Sequence, residues 1–369
     1  MNTSVNTGSV PLVSDSQFNR VVGLADAATK RLPPEGLKWM WGEALYTYAL
    51  HLMDEALGED RYLDYICAWL DHHIDKGYRV DQSDTMAPGL TAFAAWQRTG
   101  EQRYRDVVDR VEDYLLNADR VLDYMPNHLG SSPEGRLYPK SVWVDSVMMY
   151  GVFAGWYGRA AGNDAIYDFA RRQPALFARY LQDPDDKLFY HCYWTKAGHT
   201  YPKNKVYWGR GNGWVIAGLP LTIDHFEVGS EEREQAIKIL RETSAALAPY
   251  QREDGYFETV FNRPGKTYAE SSATALIAGG WMHGVADGYL DDSYLEPALR
   301  AYSALLDSLE QRDGLLSMPN ISAPTIAVQL IPYLGYKFTP RGSDWTYGLA
   351  AMFFAALNYR KLALAGKLP

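Results

Sequence analysis

Apolar side chains recur at helical spacing along most of the chain, whereas alternating, strand-like runs are few and short. Two kinds of helical segment take turns. One is amphipathic with a charged stripe: SDSQFNRVVGLADAATKRL, RYLDYICAWLDHHID, QRYRDVVDRVEDYLLNA, DAIYDFARRQPALFARYL, EEREQAIKILRETSAALAPY and SYLEPALRAYSALLDSL. The other is apolar or small nearly all round: WMWGEALYTYAL, TMAPGLTAFAAWQ, VWVDSVMMYGVFAGWYGRAAG, GWVIAGLPLTIDHF, SSATALIAGGWMHGVADGYL and DWTYGLAAMFFAAL. A charged stripe faces water and predicts an outer helix; an apolar girth must be buried on all sides and predicts an inner one. Six of each in alternation is the pattern of an all-α (α/α)6 barrel, with inner helices beginning near residues 37, 84, 141, 208, 270 and 344. An irregular α-bundle or α-solenoid is the competing architecture. No Pro/Ser/Gly linker or charge block divides the chain, so one barrel domain over 1–369 is expected, with 1–14 as a flexible N-terminal segment.

Alternating antiparallel helices make all the inner helices point one way, so their N-termini share one mouth. The residues at those starts are Trp39 and Trp41, Asp84, Trp143 and Asp145, Trp208, Arg210 and Trp214, Glu270 and Ser271, and Asp344 and Trp345. Polar and aromatic groups gather there, above apolar turns, and the helix N-termini add partial positive charge that favours an anionic ligand. The wider composition narrows the ligand. A net charge of −9 argues against nucleic acid and anionic membrane, and 27 Tyr with 11 Trp supply flat surfaces suited to sugar rings. The sequence carries no basic-then-apolar leader and no run of about 18 apolar residues, which reads as a soluble, cytoplasmic protein. Cys67 and Cys192 are too few for a disulfide framework and read as buried thiols.

Asp145, in KSVWVDSVMMYGVF, has only apolar helical neighbours, and burial there is expected to raise its pKa into the range of a general acid. Asp84 precedes a helix and suits either an N-cap or catalysis; Asp81 is a weaker competitor two residues out from the helix, and Glu270 is a rival second acid or a cap. Arg210 is the one cation of VYWGRGNGWV, a planar fork suited to a carboxylate, whether of a ligand or of Asp145. The glycines around it suggest special backbone angles or close approach of a ligand. His191 and His128 lie in aromatic-rich loops. The histidines lack ligand spacing, so no metal is expected, and GRGNG lacks the strand and the Lys-Ser/Thr tail of a phosphate loop; no cofactor is expected.

The stretches KWMWGEALYTYAL, YPKSVWVDSVMM, FYHCYW and WGRGNGWV resemble the unsaturated glucuronyl and unsaturated rhamnogalacturonyl hydrolases, from about Trp39 to Gly280. That resemblance implies an (α/α)6 barrel that removes a 4,5-unsaturated galacturonyl or glucuronyl residue from the non-reducing end of lyase-generated oligosaccharides. Carried over, Asp145 is the general acid/base and Asp84 its partner. His191, Trp208, Arg210 and Trp214 hold the unsaturated sugar, Trp41 stacks nearby, and His128 is a further candidate in a stretch longer than the family's loop. Pro220 falls inside an inner helix, where it is expected to kink the axis. A conventional two-carboxylate glycosidase on a saturated uronide and a non-enzymatic oligosaccharide-binding toroid are the rival functions. The partner expected is a small anionic oligosaccharide, with the chain a monomer or homodimer. The Pro- and Gly-rich stretch from Asp313 to Ser343 reads either as a lid on the aglycone side or as a packed connection.

Overall fold

The computed structural model describes residues 16–327 and 331–368; the expected N-terminal segment 1–14 lies outside them. The charged segments form α1 (Ser16–Arg31), α3 (Leu63–Lys76), α6 (Gln102–Asn117), α8 (Asp164–Leu181), α10 (Glu231–Leu247) and α12 (Leu295–Asp307). The apolar ones form α2 (Trp41–Leu57), α4 with α5 (Ser83–Met86 and Gly89–Thr99), α7 (Val152–Ala160), α9 (Gly209–Ile223), α11 (Ser271–Ala286) and α14 (Thr346–Leu364). A short α13 spans Pro332–Lys337. α2, α5, α7, α9, α11 and α14 each pack on the next, and α14 returns to α2. That closed ring is an (α/α)6 barrel, and it excludes an open solenoid.

Two inner helices depart from the expected pattern. The segment beginning at residue 84 is divided at Ala87–Pro88, because proline has no N–H to continue the ladder. The segment beginning at 141 opens instead as a strand, Ser141–Trp143, which pairs with Cys192–Trp194 and through it with His199–Tyr201. β-Branched and aromatic residues at Val142 and Trp143 suit that pleat. The helix follows as a π-turn, Val147–Gly151, running into α7.

Pro220 sits inside α9, which continues to Ile223. Its missing N–H frees the carbonyl of Ile216, four residues back. Gly280 of α11 lies against that carbonyl so closely that a Cβ there would stand 2.1 Å from the Ile216 oxygen. A glycine on one inner helix thus receives the carbonyl released by a proline on the next.

Candidate active site

Two of the mouth acids, Asp145 and Asp84, are held by their local backbone in a way that leaves the side chain free. Asp145 follows the strand Ser141–Trp143; the Val144 N–H donates to His191 O (2.9 Å), and the Asp145 carbonyl accepts from Met148 and Met149 N–H. The π-turn directly after it is a feature that recurs at functional sites. Asp145 Oδ2 faces His191 Nε2 at 3.5 Å, and both atoms are buried with no formed hydrogen bond. Asp84 lies in α4, where capping falls to other residues: Gln82 is the N-cap, reciprocated by Thr85. Thr85 Oγ1 accepts from the Asp81 and Gln82 N–H groups and donates to Asp81 Oδ1, while Trp39 Nε1 donates to the Thr85 carbonyl. Asp81 and Trp39 are therefore scaffold, and Asp84 is left free to face His128 Nε2 at 3.5 Å.

His128 is buried at this mouth, not in a surface loop. Its N–H donates to Ser141 O (2.9 Å), and its carbonyl accepts from Ser83 N–H (2.8 Å). Its ring stacks on Trp143 at 4.5 Å and 7°. His191 is buried too, stacked on Trp208 at 4.3 Å, with Nδ1 2.8 Å from Tyr336 Oη.

The expected raised pKa falls on the other carboxyl. Burial, then the negative charge of Asp145, then Glu134 push Asp84 up to about 8. Burial also pushes Asp145 upward, but His191, with help from His128 and Arg210, brings it below the usual carboxylate value. Burial pushes His128 down to about 4, so it is neutral at pH 7.

The turn VYWGRGNGWV is already helical at Gly209, and none of its glycines has a positive φ. They admit protein neighbours, not a ligand: a Cβ on Gly209 would stand 2.6 Å from Glu258 O, and one on Gly211 would stand 2.7 Å from the Trp208 ring. Asn212 donates to Phe189 O and accepts from Phe189 N–H, which fixes the strand leading to His191. Arg210 is 1% exposed and, among the described residues, its partners are carbonyls and hydroxyls and not a carboxylate. Its Nη atoms donate to Ser322 O (2.9 Å), Ala323 O (3.1 Å) and Thr325 Oγ1 (3.2 Å), and its guanidinium lies over Trp208 and Tyr347. Only Nε is left without a partner. The expected ion pair is replaced by carbonyls because the segment after Asp313 folds over the mouth. Trp214 is fully buried, edge-on to Trp41 at 5.9 Å, and so lies beneath Trp41, which is half-buried against Tyr347.

Glu270 is a cap. It accepts from Ser272 N–H, Ala273 N–H, the Ser272 hydroxyl and Ser322 N–H, which leaves no free oxygen for a second acid. Asp344 is likewise engaged, by Arg31, Ser317 and Met318 N–H.

The residues that sequence reasoning missed come mostly from the Asp313–Ser343 stretch: Ser322 and Thr325 on Arg210, and the fully buried Tyr336 on His191. Within the described residues of that stretch, Ser322, Ala323, Thr325 and Tyr336 form a packed wall of the site. Glu43, in the first turn of α2, is a third acid, pushed by burial up to about 7. An acid in the otherwise apolar WMWGEALY was its signal.

Among the described residues, one set with metal-ligating geometry is Asp224, His283 and Asp287, at the opposite end of the barrel, where the ammonium of Lys361 already lies 2.5 Å from Asp287. A surface cleft of about 710 Å³ opens between α6 and Asn127–Ser131, but neither Asp84 nor Asp145 lines it. The loosely held histidine–carboxylate contacts lie at the mouth instead.

The family profile of Glycosyl Hydrolase Family 88 matches residues 19–363. The chain is 28% identical over 339 residues to the unsaturated rhamnogalacturonyl hydrolase YesR of Bacillus subtilis (strain 168), covering 91% of this chain and 94% of that protein. Among solved structures, a family 105 glycoside hydrolase of C. acetobutylicum ATCC 824 superposes with a TM-score of 0.82 at 23% identity, over 92% of this chain and 99% of the other. The unsaturated glucuronyl hydrolase of Bacillus sp. GL1 does so at 0.70 and 18%, over 94% and 96%. These last two establish the fold alone. With the family pattern matched from α1 to α14, the chain belongs to glycosyl hydrolase family 88.

Proposed function

We propose that this glycosidase removes a 4,5-unsaturated uronic acid from the non-reducing end of short lyase-generated oligosaccharides by hydrating the C4=C5 double bond. The observation that carries the reading is the pair of carboxyls at the mouth, Asp84 and Asp145, each facing a buried histidine Nε2 at 3.5 Å, with burial and the charge of Asp145 pushing Asp84 up while His191 holds Asp145 down. The double bond is part of a vinyl ether, so protonation at C4 leaves a cation at C5 that the ring oxygen stabilises. Such chemistry needs one proton delivered and one withdrawn, and a single carboxyl with a supply beside it can do both.

In this mechanism Asp145 works on the sugar and Asp84 stores the proton. An anionic uronate entering the mouth adds negative charge near Asp145 and raises its proton affinity, drawing the shared proton to it. Asp145 gives that proton to C4; as a carboxylate it then takes a proton from the water that attacks C5. The resulting hemiketal opens and releases the aglycone, with one water added overall. Trp41 provides a ring surface, His191 and His128 flank the acids, Trp214 supports Trp41 from below, and Trp208, buried between His191 and Arg210, holds those two in place instead of meeting the sugar. Arg210 contributes positive charge and holds the wall Ser322–Thr325, with Nε as its remaining donor.

A panel of lyase-generated disaccharides tests this, with the unsaturated rhamnogalacturonyl disaccharide first. Loss of the alkene's ultraviolet absorbance together with aglycone release is the expected result. Release of a saturated uronide without any activity on unsaturated ones would instead mark a conventional two-carboxylate glycosidase.

A further inference from the structure

Two histidine–carboxylate pairs stand side by side at the mouth with the same contact distance, 3.5 Å from Nε2 to the carboxylate, yet the groups behind the two rings differ. Behind His191, Nδ1 meets the hydroxyl of Tyr336 at 2.8 Å. Tyr336 is fully buried, and burial holds its phenol well above the usual range, so it remains an O–H donor. Donation to Nδ1 satisfies that proton and leaves the imidazole hydrogen on Nε2, aimed at Asp145. The opposite tautomer would strand the phenol proton and set a lone pair against a carboxylate.

Behind His128, Nδ1 meets Ser146 Oγ at 2.8 Å. Ser146 has one proton and directs it at Ser83 Oγ, 3.3 Å away, so toward His128 it acts as acceptor. The hydrogen of His128 therefore sits on Nδ1, and Nε2 presents a lone pair to Asp84. A lone pair there favours a protonated carboxyl that can donate to it.

We propose that His128 and His191 are held in opposite tautomers, by the Ser146–Ser83 pair and by Tyr336 respectively, and that this opposition sorts the dyad's single proton onto Asp84 and its charge onto Asp145. Ser83, Ser146 and Tyr336 are then positioning residues that touch neither carboxyl yet decide which one is the acid. The other charged or titratable groups facing the pair are Glu134 and Tyr114 beside Asp84, and Arg210 and Cys192 beside Asp145; Tyr150 adjoins Ser146. None of these distinguishes the two rings by donor and acceptor as the serine pair and the phenol do. The inference rests on the proton-store reading of Asp84.

The test is nitrogen-15 NMR of histidine-labelled, ligand-free enzyme at neutral pH, with His128 and His191 assigned by their Gln variants. The expected spectra show His128 as the Nδ1–H tautomer and His191 as the Nε2–H tautomer; the same tautomer in both rings overturns the proposal. In Ser83→Ala the Ser146 proton turns to His128, whose hydrogen moves to Nε2 and stabilises ionised Asp84. The alkaline limb of kcat/KM then falls by at least one pH unit, and Ser146→Ala moves it the same way. Because Ser83 acts only through Ser146, the double variant shifts the limb no further than Ser146→Ala alone; an additive shift, or an unmoved limb, counts against the proposal. The spectra need no substrate, so correct tautomers with no activity on any unsaturated disaccharide would overturn the functional reading and leave this one standing.

Discussion

At the C-terminal end of the inner helices, His283 Nε2 lies 2.9 Å from Asp224 Oδ2 and 3.0 Å from Asp287 Oδ2, and Tyr289 and Lys361 complete the bonding of those carboxylates. At the N-terminal end, the two histidine–carboxylate contacts are both 3.5 Å. Asp145 Oδ2, His191 Nε2, Arg210 Nε, Trp208 Nε1 and Trp214 Nε1 are buried there without partners. Histidine and aspartate thus form a closed, fully bonded cluster at one end and looser pairs with open valences at the other. Unpaired buried polar atoms are costly, and where they surround two loosely held histidine–carboxylate contacts, as at the mouth, they mark a place where a ligand can complete the bonding. The base holds the helices together; the mouth carries unmet hydrogen-bonding capacity until substrate arrives.

The comparison breaks most directly at Asp145. Asp145→Asn keeps the shape but cannot deliver or withdraw a proton, and kcat is expected to fall by roughly 10²–10⁴-fold while ligand binding persists. Steady-state loss of absorbance, with binding followed separately, checks both halves. A variant with near wild-type turnover would remove Asp145 from the chemistry.

Asp84→Asn is expected to lose less activity, about 10²-fold at pH 7, and to move the optimum to lower pH, because Asp145 must then find its proton without a store. It should also stabilise the fold. A carboxyl whose folded pKa is near 8 binds more protons in the folded than in the unfolded state above the ordinary value of 3.8. Folding stability therefore falls as pH rises from about 4 to 8, and the neutral amide removes that loss. One pKa unit is about 1.4 kcal/mol, so a gain of at least about 1 kcal/mol at pH 8 is expected in chemical denaturation, vanishing near pH 4. An unchanged stability at pH 8 would mean that Asp84 is not strained by burial.

Arg210→Lys keeps the charge but cannot reach Ser322 O, Ala323 O and Thr325 Oγ1 together. Loosening that wall should raise KM by about tenfold with a smaller change in kcat. Equal loss in kcat and kcat/KM would place Arg210 in the transition state itself.

The barrel was legible because burial leaves a strong periodic record: α11, for example, reads as apolar on every face in SSATALIAGGWMHGVA and is buried from Ser271 to Val285. The order of acids at the mouth followed from counting helix starts. Their protonation did not, since Asp145 looks isolated among apolar neighbours in sequence, yet His191 reaches it from 46 positions further on. Arg210 shows the same limit. Its charge was plain, but its partners are main-chain carbonyls of Ser322 and Ala323, and a carbonyl carries no sequence signature. Glu270 could be read as cap or acid from YAESSATAL, and the bonds from Ser272, Ala273 and Ser322 N–H decided between them.

The smallest effect on catalysis is expected at the base. His283 gains a proton more readily in the fold, since Asp224 and Asp287 outweigh the effect of burial. Its contribution is fully present below the unfolded histidine pKa of about 6.5 and is lost as pH rises through the higher folded value. Burial opposes ionisation of Asp287, but His283 and Lys361 hold it down at about 2, and Asp224 is lowered in the same way. Their contribution is present above the ordinary carboxylate pKa and fades as pH falls through these lowered values. The cluster therefore stabilises most between about pH 4 and 6.5. His283→Asn should cost on the order of 1–3 kcal/mol in that window and less at pH 9, with kcat and KM at pH 7 unchanged. Thermal unfolding across pH, set beside the absorbance assay, separates the two ends: a loss of activity without a loss of stability would show that the base reaches the chemistry after all.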